Sequence, residues 1–121
     1  MSLTGSEGLP KTARLRKRAQ FQELSRTGSK FHSANFVVIK KSNVGRESRL
    51  GITVSAKVGN AVVRNRIKRQ IREFFRRHRS QLAKAGDFLV VARSSAADLP
   101  TAHIIEELEY AFKARRSERK S

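Results

Sequence analysis

Apolar and polar positions follow two different periods along this chain, and the period changes at Val63. Residues 36–39 form a β-rich apolar run, and Leu50, Ile52 and Val54 alternate with polar or small neighbours at a period of two, which is typical of strands. From Val63 onward, apolar side chains recur every three or four residues along one helical stripe. The stripe consists of Val63, Ile67, Ile71, Phe74, His78 and Leu82. The pattern therefore predicts strands followed by a long helix.

Shorter patterns flank these elements. Phe21 and Leu24 share one face of a short first helix, and Gly28 supplies its stop. Residues 30–32 are candidates for a short edge strand. The segment 43–46 carries turn residues between the two apolar runs, so those runs are predicted to pair as a β-hairpin.

The second half of the chain predicts one more strand and one more helix. Residues 85–87 break the long helix, and residues 88–92 form a continuous apolar run of the kind found in buried strands. A last helix is predicted to begin near Pro100, and its apolar stripe consists of Ile104, Leu108, Ala111 and Phe112. The resulting α+β architecture has helices covering one face of a mainly antiparallel sheet and leaves the other face partly open.

Composition sets the class of partner. The chain has 121 residues, with 27 Lys and Arg against 10 Asp and Glu, for a net charge of +17. This length suits a single domain, and such a charge favours a polyanionic partner. No apolar run approaches the roughly 20 residues that span a bilayer, and the absence of cysteine excludes disulfides and thiolate sites. We expect a cytoplasmic protein with a flexible tail at 1–10, a domain at 11–113 and a basic tail at 114–121 that frays.

The positive charge is concentrated at the start of the long helix. Residues 57–79 contain nine basic residues, and Glu73 is the only acid among them. On a helix, Asn65, Arg69, Arg72 and Arg76 fall along one stripe, with Arg64 and Lys68 beside it. Stacked like charges destabilise a helix, and arginine grips phosphate with two bonds, so this face predicts binding to RNA.

Several polar residues in and around this region have two interpretations. Asn65 is predicted either to read a base edge or to cap local backbone. Residues 57–61 form a sharp turn into the helix, whose free amides could also meet a phosphate. His78 and His103 lack the spacing of metal ligands, and we expect a helix-packing role for the former and a solvated position for the latter. Glu106, Glu107 and Glu109 are expected on a solvated helix face.

The run 57–72, KVGNAVVRNRIKRQIR, resembles the signature of the ribonuclease P protein family, whose hallmark is this "RNR" helix. The likeness extends over about residues 11–113. It implies a single-domain α/β sandwich in the order α-β-β-β-α-β-α, ribosomal protein S5 domain 2-like, with a left-handed crossover. It also implies that ribonuclease P RNA is the catalyst and uses magnesium, bound mainly by that RNA, to remove the 5′ leader of precursor tRNA. No catalytic residue and no metal site are then expected in the protein, and neither DNA nor membrane is an expected partner.

The resemblance also assigns roles to individual residues. The residues expected to contact RNA are Lys57, Asn60, Arg64, Asn65, Arg66, Lys68, Arg69, Arg72 and Arg76. Those expected to line a cleft for the leader are Arg14, Arg16, Phe21, Phe36 and Val38. Ser25 and Ile39 stand where relatives carry aromatics, and Ala56 stands where a basic residue is common, so leader binding is expected to depend more on Arg and Lys. Packing in the core remains the alternative for both phenylalanines.

Two other functions remain open on the sequence alone. A non-catalytic RNA-binding module such as a ribosomal protein would fit the composition. Only the "RNR" segment distinguishes this alternative from the hypothesis of a ribonuclease P protein. A self-sufficient metal nuclease would need carboxylates near the cleavage point. The basic region offers none apart from Glu73.

Overall fold

The computed structural model describes residues 14–15, 18–43, 48–78 and 86–120, with side chains up to residue 112. Its helices and strands are α1 (Arg18–Thr27), β1 (Ser29–His32), β2 (Phe36–Ser42), β3 (Arg49–Val54), α2 (Ala61–His78), β4 (Gly86–Ala92), a 3-10 helix (Ser94–Asp98) and α3 (Thr101–Lys120). The predicted order α-β-β-β-α-β-α is confirmed, and the 3-10 helix is an addition to it. Within the described ranges, no helix is both long and apolar enough to cross a membrane.

The four strands form one mixed sheet in the order β1-β2-β4-β3. The predicted hairpin between β2 and β3 is wrong, because β4 lies between them, antiparallel to β2 and parallel to β3. The apolar run of β4 explains this position, since a central strand is covered on both faces. β1 lies at the edge and pairs antiparallel with β2, as expected for the segment around residue 31.

The connection from β3 to β4 passes through α2. Because β3 and β4 are parallel neighbours, their link must be a crossover, and α2 occupies it. The described part of the crossover begins with Ser55 and ends with His78. This connection places the basic helix beside the edge strand β3, where α2 and β3 are in contact. The left-handed sense of the crossover stays a prediction.

The main core lies between α2, α3 and one face of the sheet. The strand residues on this face are Phe36, Val38, Leu50, Val54, Phe88, Val90 and Ala92. Ile67, Ile71, Phe74 and Phe75 of α2 pack there, as do Ile104, Leu108, Ala111 and Phe112 of α3. Both predicted helical stripes are thus confirmed, except for Leu82, which lies outside the described residues.

Helix α1 covers part of the opposite face of the sheet. Its Leu24 is buried with Leu15, Ile39 and Leu89 in a second, smaller cluster. The expectation that helices cover only one face is therefore wrong. The reason is the side-chain alternation of β2 and β4, which places apolar residues on both faces and demands cover for each.

Helix α3 begins one residue after Pro100, whose carbonyl accepts hydrogen bonds from the amides of His103 and Ile104. The helical backbone continues to Lys120, and the predicted fraying after residue 113 stays a prediction. Glu107 is another correction. Its side chain is 8% exposed instead of solvated, because it accepts hydrogen bonds from Ser33 and from the amide and side chain of Asn35.

Candidate nucleic-acid interface

The start of α2 is built by Asn60, which caps the helix. Its Oδ1 accepts a hydrogen bond from the amide of Val63 at 3.0 Å, and its carbonyl accepts the amide of Arg64 at 2.9 Å. Asn65 does not have the capping role that was one of its two interpretations, because it lies a turn inside the helix and is exposed. The capping function belongs to Asn60, and the base-reading interpretation of Asn65 remains.

The basic side chains of α2 differ in how far they reach into solvent. Asn65 and Arg69 are exposed, as is Lys57 in the turn before the helix. Lys68 and Arg72 are half-buried and face the junction of α2 with β3 and with the segment at Arg14 and Leu15 that precedes α1. The predicted basic stripe therefore exists, and it has an outer part and an inner part.

Arg76, at the far end of the stripe, is engaged in an ion pair. Its guanidinium bonds both oxygens of Glu73, at 3.2 and 2.6 Å, and Arg77 donates to the same carboxylate at 2.8 Å. The hydrogen bond from Arg76, helped by the one from Arg77, holds the pKa of Glu73 below its usual value even though burial acts in the opposite direction. The one acid in this region thus neutralises charge at the helix end. The beginning of the helix keeps its positive charge.

The two arginines of the "RNR" segment both bond to backbone carbonyls of the protein. Arg64 donates from Nε to the carbonyl of Gly59 at 3.0 Å, which holds the turn before the helix. Arg66 donates to the carbonyls of Ala97 and Leu99, at 3.0 and 3.4 Å, which ties α2 to the connection between β4 and α3. These bonds give Arg66 a structural role in the fold. Its role as an RNA contact stays a prediction.

Phe21 belongs to α1 and lies on the side of the sheet that this helix covers. It is half-buried and lies against Gly51, where an added Cβ would come within 2.9 Å of two ring atoms. The ring borders an open groove of about 430 Å³. The other groove residues are Gln22, Ser25, Arg26, Thr53, Leu89 and Val91. A shallow apolar floor beside an aromatic edge suits the stacking of unpaired bases.

Phe36 and Val38 do not line this groove, which corrects the prediction for both. Each is 0% exposed and packs in the main core beneath α2 and α3. The residues of β2 on the groove side are Val37 and Ile39, which pair in register with the β4 residues that face α1. A shift of one residue along a strand reverses the face, and this shift is the source of the error. The sequence offered no signal for the groove side, because residues 36–39 and 88–92 are apolar throughout and show no alternation.

The N-terminal basic segment is anchored at Arg14 and Leu15. Arg14 forms an isolated parallel bridge with Leu50, and the amide of Leu15 donates to the carbonyl of Leu50 at 2.8 Å. This attachment places Arg14 next to Lys68 and Arg72. Arg16, the other cleft residue expected in this segment, lies outside the described residues.

His78 and His103 both lie next to other side chains of the protein. His78 stacks on Phe74 with ring centroids 4.2 Å apart, and its Nδ1 lies 2.8 Å from the carbonyl of the same residue. His103 is half exposed, with Nε2 3.5 Å from Glu107. Among the residues that the structure describes, no group of three or more His, Cys, Asp or Glu could hold a metal ion.

Comparison with known proteins gives one family throughout. A family model described as Ribonuclease P matches residues 9–115. The ribonuclease P protein component of Citrifermentans bemidjiense is 45% identical over 107 residues, which cover 88% of this chain and 91% of that protein. The ribonuclease P protein component of Staphylococcus aureus is 43% identical over 106 residues, which cover 87% and 90% respectively.

Solved structures of RNase P proteins are also similar to this chain. A Staphylococcus aureus RNase P protein mutant with defective mRNA degradation activity superposes with a TM-score of 0.83 at 42% identity, over 88% of this chain and 90% of that one. The RNase P protein from Thermotoga maritima gives a TM-score of 0.76 at 33% identity, over 84% and 96%. Sequence and fold therefore lead to the same set of relatives.

Proposed function

Because this chain belongs to the ribonuclease P protein family, we propose that it binds ribonuclease P RNA and the 5′ leader of precursor tRNA. In this proposal the RNA performs the magnesium-dependent cleavage that produces mature tRNA 5′ ends. The protein positions the substrate and neutralises backbone charge near the cleavage point. A ribosomal protein, the alternative from composition, has no support from the family match.

The observation that carries the proposal is the uncompensated charge at the beginning of α2. The single acid of this region, Glu73, is paired with Arg76 and Arg77, and no ion pair among the described residues involves Lys57, Lys68 or Arg69. Like charges on successive turns destabilise an isolated helix, and phosphates opposite them remove that cost. Asn65 lies among these cations and can reach a base edge or a ribose hydroxyl.

The groove beside Phe21 is the proposed path of the leader. It runs along the sheet face next to α1, and Thr53, Leu89 and Val91 contribute to its lining. Ser25 takes the place of a second aromatic on α1, so a single ring is available on this helix to stack a base. Stacking contributes about 1–3 kcal/mol per base. Leader affinity in this chain therefore depends strongly on the adjacent cations.

Magnesium belongs with the RNA in this proposal. Glu73 is the carboxylate of α2 and Asp87 is that of β4, and both are bonded to arginines. Such ion-paired carboxylates do not fit the open oxygen sites that Mg²⁺ prefers. The proposed cleavage therefore uses no metal ion held by these two carboxylates.

Salt dependence of binding tests the assignment of the basic face. Arg69→Ala is expected to weaken binding to ribonuclease P RNA and to reduce the log–log salt slope by about 0.7 to 0.9, which corresponds to one lost phosphate contact. Filter binding or fluorescence anisotropy over a range of KCl concentrations measures both quantities.

Arg77→Ala is the matched control. It removes the same charge from the same helix, but from a side chain paired with Glu73. Its slope is expected to equal that of the wild type. If Arg69→Ala left the slope unchanged, Arg69 would not be a phosphate contact. If both variants lowered it equally, binding would follow total charge and not this face.

A further inference from the structure

Gly51 lies in the middle of β3, at a place where a glycine is unfavourable for the strand itself. It is buried and pairs in register with Leu89 of the central strand. Its φ is not positive, so its backbone does not need the conformational freedom of a glycine. A glycine inside a strand weakens it and often marks the close approach of another group. The reason for this glycine therefore lies in the space beside its Cα atom.

That space is occupied by the ring of Phe21. A Cβ atom added to Gly51 would come within 2.9 Å of Cε1 and Cζ of the ring and within 3.2 Å of Cβ of Leu15. Non-bonded carbon atoms pack at about 3.5–4.0 Å, so a side chain at position 51 and the present ring position exclude each other. Leu15 can yield little, because its amide is bonded to the carbonyl of Leu50. The ring atoms lie at the end of a flexible side chain and would move first.

The position of the Phe21 ring determines one border of the groove. The ring lines the groove together with Thr53 and Leu89, and it also borders a cavity of about 190 Å³ next to Leu15. Thr53 lies on the same face of β3 as Gly51, two residues further along. The ring thus has open space on two sides. Contact with β3 at Gly51 keeps it between them.

We propose that Gly51 is a positioning residue for the 5′ leader, because its missing side chain lets the Phe21 ring rest on β3 and face the groove in one place. The inference deepens the function proposed above and rests on it. Gly51 touches no RNA and acts through the ring. A ring with a fixed position loses less freedom when a base stacks on it, so the leader binds more tightly.

Gly51→Ala in the holoenzyme, assembled from the full-length protein and ribonuclease P RNA, tests the proposal. The measured quantity is the preference for precursor tRNA over mature tRNA, taken as the ratio of their dissociation constants. We expect this preference to fall about fivefold or more, which is the lower end of what one stacked base contributes. In steady-state cleavage the loss is expected in KM and not in kcat, because the ring serves binding and the RNA performs the chemistry.

A double-mutant cycle with Phe21→Leu separates positioning from general damage to the fold. Leucine lacks the two ring atoms that the added methyl group would meet, so Gly51→Ala is expected to lower the preference no further in this background. An equal loss in both backgrounds would overturn the proposal, since Gly51 would then act independently of the ring. A preference in Gly51→Ala equal to that of the wild type would overturn it as well.

Gly86→Ala is the matched control. It adds the same methyl group to the start of β4, where its nearest neighbour would be the carbonyl of Lys41 at 3.2 Å. Its preference for precursor tRNA is expected to equal that of the wild type. If Gly86→Ala lost as much preference as Gly51→Ala, crowding anywhere in the sheet would explain the effect, and the proposal would be wrong.

Methyl spectra of the free protein report the ring position without any RNA. Leu15 and Leu89 line the same cavity or groove as the ring, so ring-current shifts of their methyl groups are expected to change in Gly51→Ala. Unchanged shifts would mean that the ring does not rest on Gly51.

The double variant also decides the case in which Gly51→Ala does not fold. If the combination with Phe21→Leu folds and matches Phe21→Leu in leader preference, the ring contact is the decisive one and the proposal is supported. If the double variant is unfolded, the decisive contact is with Leu15 and the proposal is overturned. A wild-type holoenzyme without preference for precursor tRNA would contradict the proposed function itself, whereas wild-type preference with an unchanged Gly51→Ala variant contradicts this inference alone.

Discussion

Replacing Glu107 with alanine is expected to lower the free energy of unfolding by about 3 kcal/mol, because several buried donors would lose their acceptor. Its carboxylate accepts hydrogen bonds from the hydroxyl of Ser33 and from the amide and side chain of Asn35, the latter two at 2.6 and 2.7 Å. These bonds fix the β1–β2 turn to α3. Urea unfolding followed by circular dichroism measures the change.

Two variants serve as controls for Glu107→Ala. Glu106→Ala removes an exposed carboxylate from the same helix, and its stability is expected to stay within about 0.5 kcal/mol of the wild type. Glu107→Gln keeps the shape but lacks the charge, so an intermediate loss is expected. Equal stability of Glu107→Ala and Glu106→Ala would mean that the turn does not depend on this carboxylate.

Because Glu107 contributes to the free energy of unfolding, that free energy is also expected to depend on pH. Burial raises the pKa of this carboxyl, but the hydrogen bonds from Ser33 and Asn35, together with His103, outweigh it and leave the pKa below its usual value of 4.5. A carboxyl with a lowered pKa stabilises the fold above the pKa of the unfolded chain and loses this effect as pH falls through the folded pKa. The difference in stability between the wild type and Glu107→Gln is thus expected to be present above pH 4.5 and to shrink as pH falls below this value.

Arg66→Ala is expected to lower the free energy of unfolding by about 2 kcal/mol while leaving the salt slope of RNA binding unchanged. The physical reason is that its guanidinium bonds the carbonyls of Ala97 and Leu99, which a truncated side chain leaves without this partner. Weaker RNA binding would then follow from a displaced helix and not from a lost phosphate contact.

Arg69→Ala is expected to have the opposite pair of effects, since Arg69 is exposed on the same helix. Its stability should remain within about 0.5 kcal/mol of the wild type, while its salt slope falls. Measuring unfolding and salt dependence on both variants separates the two roles. If Arg66→Ala kept full stability and reduced the slope, Arg66 would contact RNA, as the family resemblance implied.

Local patterns in the sequence predicted the helices and strands well, because each element buries a regular stripe of its own. The apolar stripes of α2 and α3 are read directly from spacings of three and four residues. Strand pairing is different, since it depends on residues far apart in the chain. The turn chemistry near Asn43 favoured a hairpin, but the apolar β4 competes for the same strand edges and is inserted between β2 and β3.

The site was predicted in outline and not in its individual contacts. Charge alone indicated the basic face of α2, but it could not distinguish Arg69, which is exposed, from Arg66, which bonds to the backbone of a distant loop. In the same way, Phe36 was assigned to the cleft although it lies in the main core, and the neighbouring Val37 is on the side of the sheet that α1 covers. Sequence spacing gives the residue types of such a surface, and tertiary contacts decide which of them remain available.

The most direct test of the central claim is reconstitution of cleavage. Purified protein is incubated with 5′-labelled precursor tRNA, alone and with a bacterial ribonuclease P RNA, at a magnesium concentration too low for that RNA to act without protein. The proposed function predicts no cleavage by the protein alone and restored removal of the leader by the mixture. Cleavage by the protein alone, or a mixture in which the protein neither binds the RNA nor changes its activity, would contradict it.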